Sequence, residues 1–363
     1  MVKTQARERT TPLTFARELT KVWRDSRTRP RAGHTAAAER ALRQRDAAPI
    51  VTSPSSSTFH VIGIDAGGTK TVCLLADQDG AVVGEARASG ANLQSAGELE
   101  VEKILHQVML EAIGVRPITP AAICLGIAGV DRPEDAEVVT GLMRRIGSTA
   151  RIKVTNDALV ALVAGAGRGP GVVIIAGTGS IAYGRNADGQ LARAGGWGYV
   201  LGDEGSGYWI GRLALRAVVR ASDHRGRPTS LTPHILGHFR VQRAQDLVRE
   251  VYHRDLKPTT IATLARYVQA ACEEGDHVAR GILETGSREL IASADSVVTQ
   301  LGMRHDAFTF VLAGGMFRAV PWLAGELTAR LPDIAPRAEV RVLDREPAYG
   351  AVLLAIDEAR SEA

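Results

Sequence analysis

The stretch "DAGGTKT", Asp65–Thr71, sets a carboxylate, two glycines, two hydroxyls and an ammonium within seven residues. Those are the groups that grip a phosphate. Gly67 and Gly68 permit positive φ and a close approach of backbone N–H groups to phosphate oxygens. Thr69 and Thr71 add hydroxyl donors, and Lys70 adds charge. Asp65, at the end of a predicted strand, would hold a hydrated Mg²⁺ beside the phosphates. A plain glycine hairpin with a solvent-facing aspartate would use the same residues. What favours phosphate is a second copy. Laid over "GVVIIAGTGSIAYGRNADGQ" with a shift of 109 residues (177 − 68), Gly68 falls on Gly177, Thr69 on Thr178 and Asp79-Gly80 on Asp188-Gly189. Gly177, Thr178, Gly179 and Ser180 thus form a second candidate phosphate turn.

Two better-known phosphate loops do not fit. A P-loop needs lysine directly after its second glycine and a helix next; here Thr69 intervenes and "TVCLLAD" reads as a strand. A dinucleotide fingerprint needs G-x-G-x-x-G opening a helix, and "GIDAGG" has neither the spacing nor the helix.

The elements that must position these turns read as α/β. "HVIGID", "KTVCLLAD" and "AVVGEARA" are predicted strands, the last two joined by an Asp-Gly turn. "LEVEKILHQVMLEAIG" is an amphipathic helix with Val101, Ile104, Leu105, Val108 and Ala112 on one face. "AAICLGIAGV" enters a glycine-rich loop that includes Asp131; a helix, the strand "RIKVTND" and the helix "ALVALVAGAGRG" follow. Further on, "FVLAGGMF" reads strand, Gly-Gly, helix, and "AYGAVLLAIDEAR" is a helix expected to pack back on the first domain. An internal repeat of this kind predicts two similar domains facing each other across a cleft. The expected boundaries are 59–168, 169–346 and a final helix within 347–363, after a disordered basic tail over 1–58. Phe15, Leu19, Val22 and Trp23 share one face of a short helix in that tail.

Composition limits the function classes. Hydrophobic content of 45% and charged content of 23% are ordinary for a soluble protein. No apolar run is long enough to span a membrane, and none near the N-terminus resembles a secretory signal. Residues 1–58 hold 12 of the 44 Lys+Arg and 5 of the 40 Asp+Glu, a balance of +7 (12 − 5); the remainder carries 32 against 35, or −3 (32 − 35). The basic balance belongs to the tail, so nucleic acid is not an expected partner of the body. Cys73, Cys124 and Cys272 have no disulfide or metal spacing, which fits a reducing cytoplasm.

Taken together, the motifs resemble the actin-like ATPase superfamily of sugar kinases, actin and heat-shock chaperones. Within it, the chain is similar to the N-acetylglucosamine kinase and BadF/BadG/BcrA/BcrD-type ATPase family, from about Val61 to Ile356. "DAGGTKT" and "GTGS" stand for the two phosphate motifs, "TNDA" for the first connecting segment and "LAGGMF" for the adenosine segment; "GGWGYVLGDEGSGYWIG", Gly195–Gly211, is the most family-specific run. The resemblance implies two ribonuclease H-like domains closing on ATP and Mg²⁺, and a small sugar as substrate, N-acetylglucosamine first, in an enzyme that is commonly a homodimer. It makes Asp157 the general base, where the residues alone favour a helix cap. It places Asn92, Asn156, Asp157, Trp197, Gly198, Asp203 and Gly207 at the sugar and Gly314, Gly315 and Met316 at the adenosine. Two departures stand out: those kinases usually carry alanine where this chain has Gly207, and often an aromatic where it has Gln94. Two other activities share the fold: an ATPase that activates a partner through an iron–sulfur cluster, and a non-catalytic sugar sensor. The first would need thiolates on loops, and the cysteines lie in predicted strands and a helix; the second would need a DNA-binding module, and the tail contains no helix-turn-helix.

Overall fold

Short runs rich in Val, Ile and Ala assemble into two five-stranded sheets. The computed structural model describes residues 58–130, 132–253 and 256–361; the expected tail helix at Phe15–Trp23 and Asp131 lie outside the described residues. In the first sheet β1 (His60–Ala66), β2 (Lys70–Asp77) and β3 (Val82–Ser89) are an antiparallel meander. Strands β4 (Ala122–Ile127) and β5 (Arg151–Thr155) join in parallel on the other side of β1, giving the order β3-β2-β1-β4-β5. The second sheet repeats this with β6 (Gly171–Ala176), β7 (Ser180–Arg185), β8 (Leu191–Gly195), β9 (Thr309–Ala313) and β10 (Glu339–Val342), in the order β10-β9-β6-β7-β8.

The repeat extends to single hydrogen bonds. The Asp77 N–H donates to the Ala81 carbonyl (3.0 Å) and its carboxylate accepts from the Asp79 N–H (3.0 Å). In the second copy Asn186 does the same with Gln190 and Asp188, at 3.1 Å each. Only within the glycine turns does the ungapped overlay slip. Ala66 pairs with Thr71 and leaves four residues between, whereas Ala176 pairs with Ser180 and leaves three. By strand pairing the counterpart of Asp65 is therefore Ile175, and the carboxylate occurs in one copy alone.

Helices layer the sheets. Helices α1 (Glu98–Ile113) and α2 (Pro133–Arg145) cover the outer face of the first sheet. Helix α1 buries Val101, Ile104, Leu105, Val108, Met109 and Ala112, the i, i+3, i+4, i+7 stripe that its sequence predicts. Helix α3 (Asp157–Ala166) follows β5. Helices α4 (Gly207–Ser222), α5 (Leu231–Phe239), α6 (Ala265–Glu273), α7 (His277–Gln300) and α8 (Pro321–Ile334) contribute to the core on the outer face of the second sheet. Sequence reading assigned no elements between residues 240 and 300 beyond one helix at Cys272; helices occupy most of that span. Helix α9 (Ala348–Arg360) follows β10.

Between the sheets lies an apolar layer made by α3 and α9. A helix covered on both sides must be apolar nearly all round, and Ala158–Ala164 are buried without interruption. Small residues bring the two helices together: Gly350 lies against the Val160 carbonyl, where any side chain would overlap backbone. Helix α9 packs on β1 and β4, while α3 reaches β6, β7 and β9. Helix α9 thus lies on the sheet of the other repeat, and α3 is shared between the two sheets, touching β4 and β1 of its own as well. No helix among the described residues is long and apolar enough to cross a membrane.

Candidate active site

Loops leaving the carboxyl ends of parallel strands gather on one edge of a sheet. From β1 and β5 come Gly67–Lys70 and Asn156-Asp157; from β6, β9 and β10 come Gly177–Gly179, Gly314–Met316 and the 343–347 segment.

The first turn is closed by the Gly67 N–H donating to the Lys70 carbonyl at 3.0 Å. Neither Gly67 nor Gly68 takes a positive φ, so the expected need for curvature is not the reason for glycine here. A Cβ on Gly68 would meet nothing within 4 Å; the missing side chain leaves the turn's outer side open. Its inner side is blocked by Gly90, pressed against the Gly68 carbonyl and the Thr69 nitrogen, and by the Ala91 N–H donating to the Gly67 carbonyl at 3.1 Å. Sequence reading missed Gly90, although a glycine directly ahead of Ala91-Asn92 was its signal. Thr71 faces inward. It is fully buried, and its hydroxyl donates to the Ser89 carbonyl (2.8 Å), which ties β2 to β3.

Asp65 is buried, and its pKa is pushed up to about 7. Desolvation is the largest cause, the negative charge of Asp157 the next, and the Lys70 ammonium opposes both. Asp157 is the first residue of α3, half-buried at the strand end. The cap is its neighbour: Asn156 Oδ1 accepts the Leu159 N–H at 2.8 Å. The alternative of Asp157 as a helix cap is thereby removed, and Asn156 is held by a structural bond.

In the second turn the Gly177 N–H donates to the Gly179 carbonyl at 2.9 Å, and a Cβ on Gly177 would again meet open space. Asp203 backs this turn. Its backbone is left-handed (φ 63), and its Oδ1 accepts the Ser180 N–H at 3.2 Å. Burial raises its pKa, opposed by hydrogen bonds from the Ser180 and Gly198 N–H groups. The Ser180 hydroxyl donates to the Glu204 carbonyl at 2.8 Å. The start of α4 completes the clamp, with the Gly207 N–H donating to the Gly177 carbonyl (2.8 Å) and the Tyr208 N–H to the Thr178 carbonyl (3.3 Å). A Cβ on Gly207 would stand 2.9 Å from Met316 Sδ and 3.0 Å from the Gly177 carbonyl. Asp203 and Gly207, both expected at a sugar, lie against the second glycine turn, and Gly207 also against Met316. Gly314 adopts φ 108 beside Ala176, and Met316 is buried.

Trp197 is 63% exposed, with the Arg193 guanidinium 4.8 Å above its ring. It is not core. Gly198 lies beside it in the same loop, and Asn92 is half-buried, its carbonyl accepting the Ala96 N–H at 3.0 Å.

Comparison with known proteins covers most of the chain. The pattern of the BadF/BadG/BcrA/BcrD ATPase family matches residues 62–355. The chain belongs to that family. Among family relatives, an N-acetylmuramic acid/N-acetylglucosamine kinase of Clostridium acetobutylicum is 36% identical over 302 residues, 82% of this chain and 99% of the relative. An N-acetyl-D-glucosamine kinase of Dictyostelium discoideum is 33% identical over 82% of this chain and 98% of its own length. A ROK family glucokinase from Streptomyces griseus, solved with glucose and AMPPNP, shares the fold at a TM-score of 0.53 and 18% identity, covering 82% of this chain and 99% of that one. The two-domain actin-like architecture of this BadF/BadG-type chain is therefore that of sugar kinases.

Proposed function

We propose that the protein is an ATP- and Mg²⁺-dependent kinase that phosphorylates the primary hydroxyl of an N-acetylated amino sugar, N-acetylglucosamine first. The observation that carries this reading is the placement of Asp157: it begins a helix at the same edge as two open glycine turns, close enough to Asp65 for its charge to raise that carboxyl. Both close relatives act, by name, on N-acetylated sugars. Two neighbouring carboxylates, one buried, suit a hard divalent cation, and Asp65 would hold Mg²⁺ through water. The cation, when bound, neutralises charge on the phosphates. Asp157 takes the proton from the sugar hydroxyl as it attacks the γ-phosphate. The N–H groups of Gly68 and Thr69 and of Thr178 and Gly179 receive the phosphates, since those of Gly67 and Gly177 close the turns, with Lys70 beside the first turn. Gly314, Gly315 and Met316 flank the base, and Asn92, Trp197 and Gly198 face the sugar.

The iron–sulfur alternative loses support. Cys73 and Cys124 are buried in β2 and β4, where burial pushes each thiol up to about 12, far from a metal-ligating thiolate.

The test is ATP-dependent phosphorylation of N-acetylglucosamine, N-acetylmuramic acid, N-acetylmannosamine, glucosamine and glucose. Turnover on an N-acetylated hexosamine, reduced about 10²–10⁴-fold in Asp157→Asn with sugar binding retained, is expected. ATP hydrolysis that no sugar stimulates, with no phosphorylated product, would defeat the reading.

A further inference from the structure

The Lys70 ammonium already has a partner. Its Nζ lies 2.6 Å from Glu346 Oε2, while Glu346 Oε1 accepts from Arg87 Nη1 at 2.9 Å. Arg87 Nε donates in turn to Glu85 at 2.7 Å. Glu346 belongs to the segment leaving β10, and its carbonyl accepts the Tyr349 N–H (3.0 Å) at the start of α9. A carboxylate from the second repeat is therefore anchored at the foot of a packed helix and reaches a lysine on the first repeat's glycine turn. It is half-buried, and the hydrogen bonds from Lys70 and Arg87 hold its carboxyl below its usual range against the effect of burial. Its negative charge is also felt at Asp65.

We propose that Glu346 is a positioning residue that competes with nucleotide phosphate for Lys70. Lys70 exchanges the carboxylate for a phosphate oxygen when nucleotide arrives, and Glu346 then stays paired to Arg87. The proposal rests on the reading of the first turn as a phosphate site. Arg87 makes the exchange practicable. A partly buried carboxylate left without a cation would be strongly penalised, whereas here a guanidinium remains on Oε1 whichever way Lys70 points. A half-exposed ion pair is weak beside a charge-assisted bond to a polyphosphate, so the contact tunes affinity without blocking it. The product nucleotide meets the same competition, so Glu346 weakens its binding as well.

The test is calorimetric titration of Mg²⁺ with ATP and with ADP into wild type, Glu346→Gln, Lys70→Met and the double variant, with thermal unfolding of each as a control. Glu346→Gln is expected to bind both nucleotides about two- to fivefold more tightly. Lys70→Met should bind them more weakly, and the double variant should match Lys70→Met, because the effect of Glu346 passes through Lys70. Glu346→Asp keeps the charge but withdraws it from Lys70 and should fall between wild type and Glu346→Gln. If Lys70→Met weakens binding while Glu346→Gln leaves it unchanged or weaker, the competition is refuted and the phosphate site stands. If Lys70→Met binds like wild type, Lys70 is not a phosphate ligand and the competition is refuted; failure of the wild type to bind either nucleotide would refute the phosphate site itself.

Discussion

Replacing Asp65 by asparagine should make the protein more stable while removing its activity, and the gain should depend on pH. A carboxyl displaced from 3.8 to about 7 by burial and the Asp157 charge weakens the fold by about 4 kcal/mol once it is ionised in both states. The sign follows from proton counts. Between pH 3.8 and 7 the native state binds a proton at Asp65 that the unfolded chain does not, so stability falls as pH rises through that window. Below it the penalty is absent; above it the penalty is complete. Asparagine has no such dependence, though seating its amide removes roughly 1 kcal/mol at every pH. Asp65→Asn should therefore exceed wild type by about 3 kcal/mol at pH 8 and by less than about 1 kcal/mol at pH 5. Urea unfolding of both proteins in EDTA without nucleotide, at pH 5, 6.5 and 8, measures this. With saturating Mg²⁺ and nucleotide the order should reverse, since only the carboxylate gains a cation. A stability difference that is the same at pH 5 and pH 8 would refute the claim that Asp65 is a destabilising, ligand-ready carboxylate.

Further outcomes follow from single contacts. Asn156→Ala removes the hydrogen bond that caps α3 and should lower stability by about 1 kcal/mol in urea unfolding. Gly207→Ala crowds Met316 and the Gly177 carbonyl, so steady-state kinetics should show a KM for ATP raised several-fold and a KM for sugar within about twofold. The opposite pattern would return Gly207 to the sugar. In thiol titration at pH 8, Cys73 and Cys124, buried with pKa values near 12, should react only after unfolding, with Cys272 the more accessible.

Much of the architecture was legible because it is local. The stripe of α1, the Asp-Gly hairpins and the two Gly-Thr turns are each encoded within a dozen residues, and the 109-residue repeat linked them. What escaped was set by distant partners. Nothing near Glu346 in the chain points to Lys70, and nothing near Asp203 announces that it will back the Ser180 N–H, 23 residues earlier in sequence. The inward turn of Thr71 could have been read, since it shares one face of β2 with Cys73 and Leu75. Of the two reasons expected for Gly67 and Gly68, positive φ and close approach, the first does not apply, and the space beside Gly68 is open as the second requires.

The reciprocal placement of α3 and α9 has a consequence for how the chain must fold. The second repeat gives its closing helix to the sheet of the first, and the first shares its own with the sheet of the second. Expressed alone, residues 59–168 would lack α9 over β1 and β4, and the second repeat would lack α3 over β6, β7 and β9. Neither half owns a complete core. The two should therefore melt in one cooperative transition, and two copies of a single repeat could satisfy each other only by the same exchange of arms.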